Sequence, residues 1–163
     1  MEIPGVKCHF AMGRPGRLVA ARLLPDQDVY QGVVALIKES GFKSGEVTAI
    51  GSLKSASVMW AKTEEFTGDF ENEAVLYEMK GPVELGVAKG YFGVDENGEL
   101  FMHLHGLILD KEGQMRCGNL QPGSAPVLAT VELTITEFAG LDMNYTIDPV
   151  WNHKFPRPVP LDE

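Results

Sequence analysis

Cysteine is scarce in this 163-residue chain, where Cys8 and Cys117 are the only two. Two thiols so far apart make no disulfide framework of the kind that staples small secreted domains, and in a reducing compartment each is expected to be a small buried or half-buried thiol. Long apolar runs are missing as well. No stretch approaches the roughly 18 residues that a spanning helix needs, and the start, Met1-Glu2-Ile3-Pro4-Gly5, lacks the basic-then-apolar layout of a secretory signal. A cytoplasmic location and no membrane partner are the expectation. Positive charge is in deficit, with 14 Lys and Arg against 23 Asp and Glu, a net charge of -9. That balance opposes any chain-wide attraction to the phosphates of nucleic acid. No Gly-rich phosphate loop, internal repeat or low-complexity tract is present, and no Ser/His/Asp order stands out. Cys117 with His105 is the nucleophile-and-base pair on offer, and no local signature accompanies it.

What the chain does hold is one domain's worth of foldable sequence. Its 44% hydrophobic and 23% charged content are those of a soluble globular protein rather than a disordered tail. Charge is unevenly spread. Lys7, Arg14, Arg17 and Arg22 fall in a segment without acids, whereas Glu64, Glu65, Asp69, Glu71, Glu73 and Glu78 fall in one without bases. The acidic run reads as a solvated loop and strand.

One helix is predicted over Asp28 to Ser40. Tyr30, Val33, Val34 and Ile37 recur at helical spacing, Asp26 or Asp28 offers an N-cap, and Gly41 a stop. The remainder reads as strands at about 17–24, 46–50, 55–61, 73–79, 83–92, 100–109 and 127–138. Turns are expected at Gly51-Ser52, Gly81-Pro82, Glu96-Asn97-Gly98, Lys111-Glu112-Gly113 and Gln121-Pro122-Gly123. In the run from Val127 to Ile135 the odd positions are apolar and Thr130, Glu132 and Thr134 face the other way. The expected architecture is α+β, a mostly antiparallel or mixed sheet with one main helix packed on it. The segment from Gly140 to Glu163, with Pro149, Pro156, Pro158 and Pro160, is expected to be an irregular extension beyond a domain of residues 1–140.

The most chemically suggestive stretch is Phe101-Met102-His103-Leu104-His105-Gly106-Leu107. On a strand, His103 and His105 share a face with Cα atoms roughly 6.6 Å apart, a spacing that suits two ligands of one metal ion or two hydrogen-bonded pocket residues. Both faces of that strand are largely apolar, so each needs a cover.

Several segments in order resemble the PPC (plants and prokaryotes conserved) domain family. They are Arg17-Leu18 through Leu24-Pro25-Asp26-Gln27-Asp28-Val29, Ser44-Gly45 to Ala49-Ile50-Gly51-Ser52-Leu53, and Gly81-Pro82-Val83-Glu84-Leu85. His103-Leu104-His105, Asp110-Lys111-Glu112-Gly113, Cys117-Gly118-Asn119-Leu120 and Ala129-Thr130-Val131-Glu132 complete the set. The resemblance implies a trimer-forming α+β domain, usually described as a DNA-binding or regulatory module. It also implies a site at the histidine strand where prokaryotic members hold a metal such as zinc, with a third histidine in a Gly-Gly-His-Leu segment. Here Asn119 stands in the place of that histidine. A second reading, by analogy of fold with acetolactate decarboxylase, is a metal-dependent or small-molecule-binding enzyme.

The candidate pocket residues are accordingly His103, His105 and Asn119, with Glu132, Arg116 and Cys117 as neighbours and Glu84 as a further carboxylate. Gly13-Arg14-Pro15 resembles the core of an AT-hook, the minor-groove element that accompanies the domain in plants. Met12 precedes it where the hook has arginine, so a turn before the first strand is expected. Arg14 and Arg17 are the candidate nucleic-acid contacts, and weak DNA binding, a small-molecule ligand and copies of the chain itself are the candidate partners.

Overall fold

The computed structural model describes residues 4–65 and 67–161, so the first three residues of the N-terminal layout and the last two of the expected extension lie outside the described residues. Ten elements follow in order: β1 (Arg14–Leu23), α1 (Val29–Ser40), β2 (Gly45–Ala61), α2 (Phe70–Glu73), β3 (Ala74–Asp95), β4 (Leu100–Leu109), β5 (Met115–Leu120), β6 (Val127–Ala139), β7 (Leu141–Asp148) and β8 (His153–Pro160). No helix among the described residues is long and apolar enough to cross a membrane.

Helix α1 begins where expected because Asp28 caps it. One carboxylate oxygen accepts the Gln31 N–H at 3.0 Å and the other the Ala125 N–H at 3.0 Å, which ties the helix start to the loop before β6. Gly41 ends it with φ 68°, a left-handed conformation that glycine adopts without strain. Val29, Val33 and Ile37, one turn apart, are fully buried against the sheet.

The strands form one eight-stranded sheet in the order β1-β6-β2-β5-β4-β3-β7-β8, with β2 and β3 paired in addition. Because β2 pairs with β3, β3 with β4, β4 with β5, and β5 with the far half of β2, these four strands close on themselves. All pairs are antiparallel except β3 with β7. The core holds Phe92, Leu104, Ile108, Leu120, Val131 and Ile135 from these strands together with the helix. In β6 the predicted alternation holds, with Val131, Leu133 and Ile135 buried and Glu132 and Thr134 exposed.

Three expectations fail, each for a physical reason. Gly51-Ser52 and Gly81-Pro82 are not turns; β2 and β3 run through them, with register shifts at Ala49/Gly51 and Leu53/Ser55 that let the paired strands bend instead of reversing. Arg14 and Pro15 lie within β1 rather than in a turn before it, at a register shift between Pro15 and Leu18. The irregular extension is a hairpin, β7 with β8. Pro156, Pro158 and Pro160 recur at the strand period of two, and the Leu161 N–H, of opposite parity, donates to the Gly140 carbonyl at 3.1 Å. The proline nitrogens therefore point to the free edge of the outermost strand, where no partner needs an N–H. Tyr145 of β7 is fully buried, and its hydroxyl donates to the Tyr91 carbonyl at 2.9 Å.

Candidate ligand site at the histidine strand

In β4 the even positions Met102, Leu104 and Ile108 point into the core, which turns Phe101, His103 and His105 to the opposite face. Tyr91 and Lys89 of β3 lie opposite His103 and His105, and Asn119 of β5 lies opposite His105 from the other side. A residue directly opposite on an antiparallel neighbour projects from the same face, so Asn119 and the histidines share one surface. Gly118 is required for this approach: a Cβ there would sit 2.6 Å from the Met59 carbonyl oxygen of β2.

Strand β5 stops at Leu120, level with the middle of β4, so the first half of β4 has no partner on that side. A cavity of about 600 Å³ opens in the gap. Its walls come from β4, from Met59 to Ala61 at the end of β2, from Tyr30 of α1, Phe70 of α2, and from Trp151, His153 and Phe155 at the turn of the β7–β8 hairpin. The hairpin is held over the cavity by Lys154, whose ammonium is 2.7 Å from Asp95 and 3.4 Å from Glu96. Asp95 is buried and also accepts the Asn97 and Glu99 N–H groups, and the Lys154 bond holds its carboxyl below the usual range. Phe101 packs on Tyr145 at 4.8 Å between ring centres, and His153 makes an edge contact with Phe70 at 4.6 Å.

Inside the cavity His103 Nε2 and His105 Nε2 stand 2.9 Å apart. One ring carries the shared proton and the other accepts it, so at least one is neutral. Burial lowers the pKa of His103, and the neighbouring His105 and His153 lower it further. Burial alone lowers His105 and His153. Asn119 Oδ1 is buried with no hydrogen-bond partner among the described residues. An orphaned acceptor of this kind costs about 1–3 kcal/mol.

The metal that the sequence resemblance implies can be tested against this donor set. Two imidazoles converge, but the third donor would be a neutral amide oxygen, which suits hard cations rather than zinc beside imidazole. Among the described residues no group of three His, Cys, Asp or Glu side chains stands close enough to hold an ion. The residues present do not fit a resident transition metal.

A family model for the Plants and Prokaryotes Conserved (PCC) domain matches residues 10–139, most of the chain. The chain belongs to this family. No curated protein matches the sequence. Solved structures carry the same fold. A metal-containing protein from Archaeoglobus fulgidus is 21% identical with a TM-score of 0.75, covering 93% of this chain and 99% of its own. A plant- and prokaryote-conserved protein from Pyrococcus horikoshii is 20% identical with a TM-score of 0.74, over 90% and 95% of the two chains. A candidate DNA-binding protein from Bacteroides thetaiotaomicron is 16% identical with a TM-score of 0.71, over 90% and 97%.

Within this PPC domain the other residues singled out from the sequence scatter. Cys8 and Cys117 are both exposed, not the buried or half-buried thiols expected from the sequence, and Cys117 lies two residues from Asn119 on β5 and outside the cavity lining. Arg116 lies over the Tyr77 ring at 4.7 Å. Glu132 sits on β6, where it accepts from the Thr130 hydroxyl at 2.6 Å beside a shallow depression shared with Arg22, Thr48 and Ile50. Glu84 is exposed on β3. Arg17 makes a two-point contact with Glu137 at 2.7 and 2.8 Å and stacks over Phe42, while Arg14 is exposed at the start of β1. Strand alternation puts Phe101 on the face of His103 and His105, whereas sequence reasoning missed Trp60, Trp151, His153 and Phe155 as lining residues. The trio 151, 153 and 155 does carry a signal, because aromatic and imidazole rings at every second position mark one face of a strand.

Proposed function

We propose that this PPC-domain protein is a small-molecule-binding module that works as a homotrimer, its ligand held in the cavity beside His103 and His105. The cavity itself carries the proposal. Its volume lies in the range of ligand sites, its lining is mostly apolar and aromatic, and His103, His105 and Asn119 supply polar groups from neighbouring strands. The division into a body of residues 1–140 and an extension of 141–163 has a purpose in this reading, since the extension supplies the cavity's outer wall.

The trimer is supported by the outer face of β1, β6, β2 and β3. Leu18, Ile50, Leu128 and Tyr91, all more than 40% exposed, project from that face. Apolar side chains gathered on one sheet face mark an interface. The same reading keeps the protein in the cytoplasm, where its two free, exposed thiols stay reduced.

The chain has only two tryptophans, and both line the cavity. Protein labelled with nitrogen-15 therefore has two indole N–H signals that report directly on it. Fragments that bind are expected to shift both signals. A fragment screen whose hits leave both signals unmoved would place binding elsewhere and remove the proposal.

A DNA-binding role is the second reading, favoured by the description of the Bacteroides neighbour. Charge works against it. The net charge is -9, and the Arg17 and Arg22 side chains are engaged by Glu137 and Thr130 of the chain's own sheet. Duplex DNA is expected to bind weakly, without sequence preference, and to be released by moderate salt. Nanomolar, sequence-selective binding in fluorescence anisotropy at physiological ionic strength would favour DNA over the small ligand.

A further inference from the structure

Among the described residues one buried side-chain polar atom has no hydrogen-bond partner, and it belongs to a residue that lines this cavity. His103 and His105 satisfy each other through their facing Nε2 atoms. The Tyr30 hydroxyl donates to the Met102 carbonyl at 3.1 Å. Lys154, the one permanently charged side chain among the described lining residues, is already spent on Asp95 and Glu96. The unpartnered atom is Asn119 Oδ1, buried and without a donor among the described residues. The rings of Tyr30, Trp60, Phe70, Phe101, Trp151 and Phe155 line the same cavity.

We infer that the ligand is an uncharged, planar aromatic or heteroaromatic molecule whose ring N–H or O–H donates to Asn119 Oδ1. The inference rests on the cavity being the binding site and adds the chemical class. Flat rings match walls built of aromatic side chains, where offset stacking and edge contacts add to area burial. A single donor completes the one orphaned acceptor, and a ligand without it leaves that acceptor desolvated and unpaired. An anionic ligand finds no uncommitted cation among the described lining residues, so its charge would lose water without compensation. Hairpin residues Trp151 and Phe155 lie outside the matched residues 10–139, so this chain builds part of the selective wall from its own extension.

Three probes separate the terms: indole, with a ring N–H; benzofuran, of the same shape with oxygen in its place; and indole-3-carboxylate, which adds an anion. Calorimetric titration of the full chain is expected to show indole binding at least tenfold tighter than either of the others. Asn119→Ala should bring indole and benzofuran within about twofold of each other, while Asn119→Asp, which keeps an acceptor oxygen, should preserve the preference for indole. Thermal melts establish that each variant is folded, and the Asp variant carries the test if the Ala variant is not. Equal affinities for indole and benzofuran in the unmodified chain, or tighter binding of the carboxylate, would overturn the inferred class. If the tryptophan indole signals still shift in that case, the cavity remains the site and only its chemistry has been misassigned. Binding of none of the three would overturn the class as well, and a fragment screen that moves neither tryptophan signal would remove the site with it.

Discussion

Asn119 lies opposite His105 on the neighbouring strand and lines the same cavity as His103 and His105. Replacing it with histidine adds a third nitrogen donor on the same wall, the set typical of zinc with one position left open. Asn119→His is therefore expected to tighten zinc binding at least tenfold, measured by competition with a fluorescent chelator. Unchanged affinity in a folded variant would mean that side chain 119 does not face the histidines. The histidines also make stability depend on pH. All three cavity histidines have folded pKa values lowered by burial, below the roughly 6.5 of an unfolded chain. Below that value the unfolded chain takes up protons that the folded one refuses, so stability is full above pH 6.5 and falls as pH drops toward the folded values. The carboxylates with lowered values, such as Asp95 and Glu137, act only below about pH 4.5, so the upper window belongs to histidine. Melting temperature should fall between pH 7.5 and pH 5, and less steeply in His103→Gln. An identical slope in that variant would contradict the assignment.

Among the elements, α1 and the β7–β8 hairpin each depend on one buried aspartate. Asp28 accepts two backbone N–H groups, one from the helix and one from the loop before β6. Asp28→Ala removes the cap and strands the buried Ala125 donor, at a cost of about 1–3 kcal/mol. Urea denaturation should show it as a lower midpoint with unchanged slope. Asp95 ties Lys154 of β8 to the end of β3 and accepts two N–H groups of its own turn. Asp95→Ala should speed amide exchange in β7 and β8 while leaving β6 protected, because among the described residues the hairpin's strand pairing with the rest of the sheet is confined to Val94 and Asp95. Uniformly faster exchange across the whole sheet would show that the hairpin is not a separate unit.

For the whole molecule, self-association is the property to measure. A trimer should sediment at about three times 17.8 kDa at micromolar concentration. Ile50→Glu places a charge at the centre of the exposed apolar face without entering the core, and is expected to shift the mass toward the monomer with the circular dichroism spectrum unchanged. A monomeric unmodified chain would dispose of the trimer, and a variant of unchanged mass would move the interface to another face.

Periodicity and capping are local, and so the sequence alone determined α1 with its Asp28 and Gly41 ends, the alternation of β6, the shared face of His103 and His105, and the family. Pairing is not local, and there only the tertiary structure decided. Gly51 and Pro82 carry turn chemistry, yet long cross-strand partners on both sides hold them in continuous, bent strands. The prolines of β8 forbid a helix or a central strand, and they become acceptable only because the hairpin lies at the sheet's edge with their nitrogens outward. Which residues gather around the histidines was equally invisible in the chain. Trp60 and Trp151 are distant in sequence and line one cavity because β5 ends early and the β7–β8 hairpin folds back over the gap, while Glu132 and Arg116, nearer to the histidines along the chain, lie outside it.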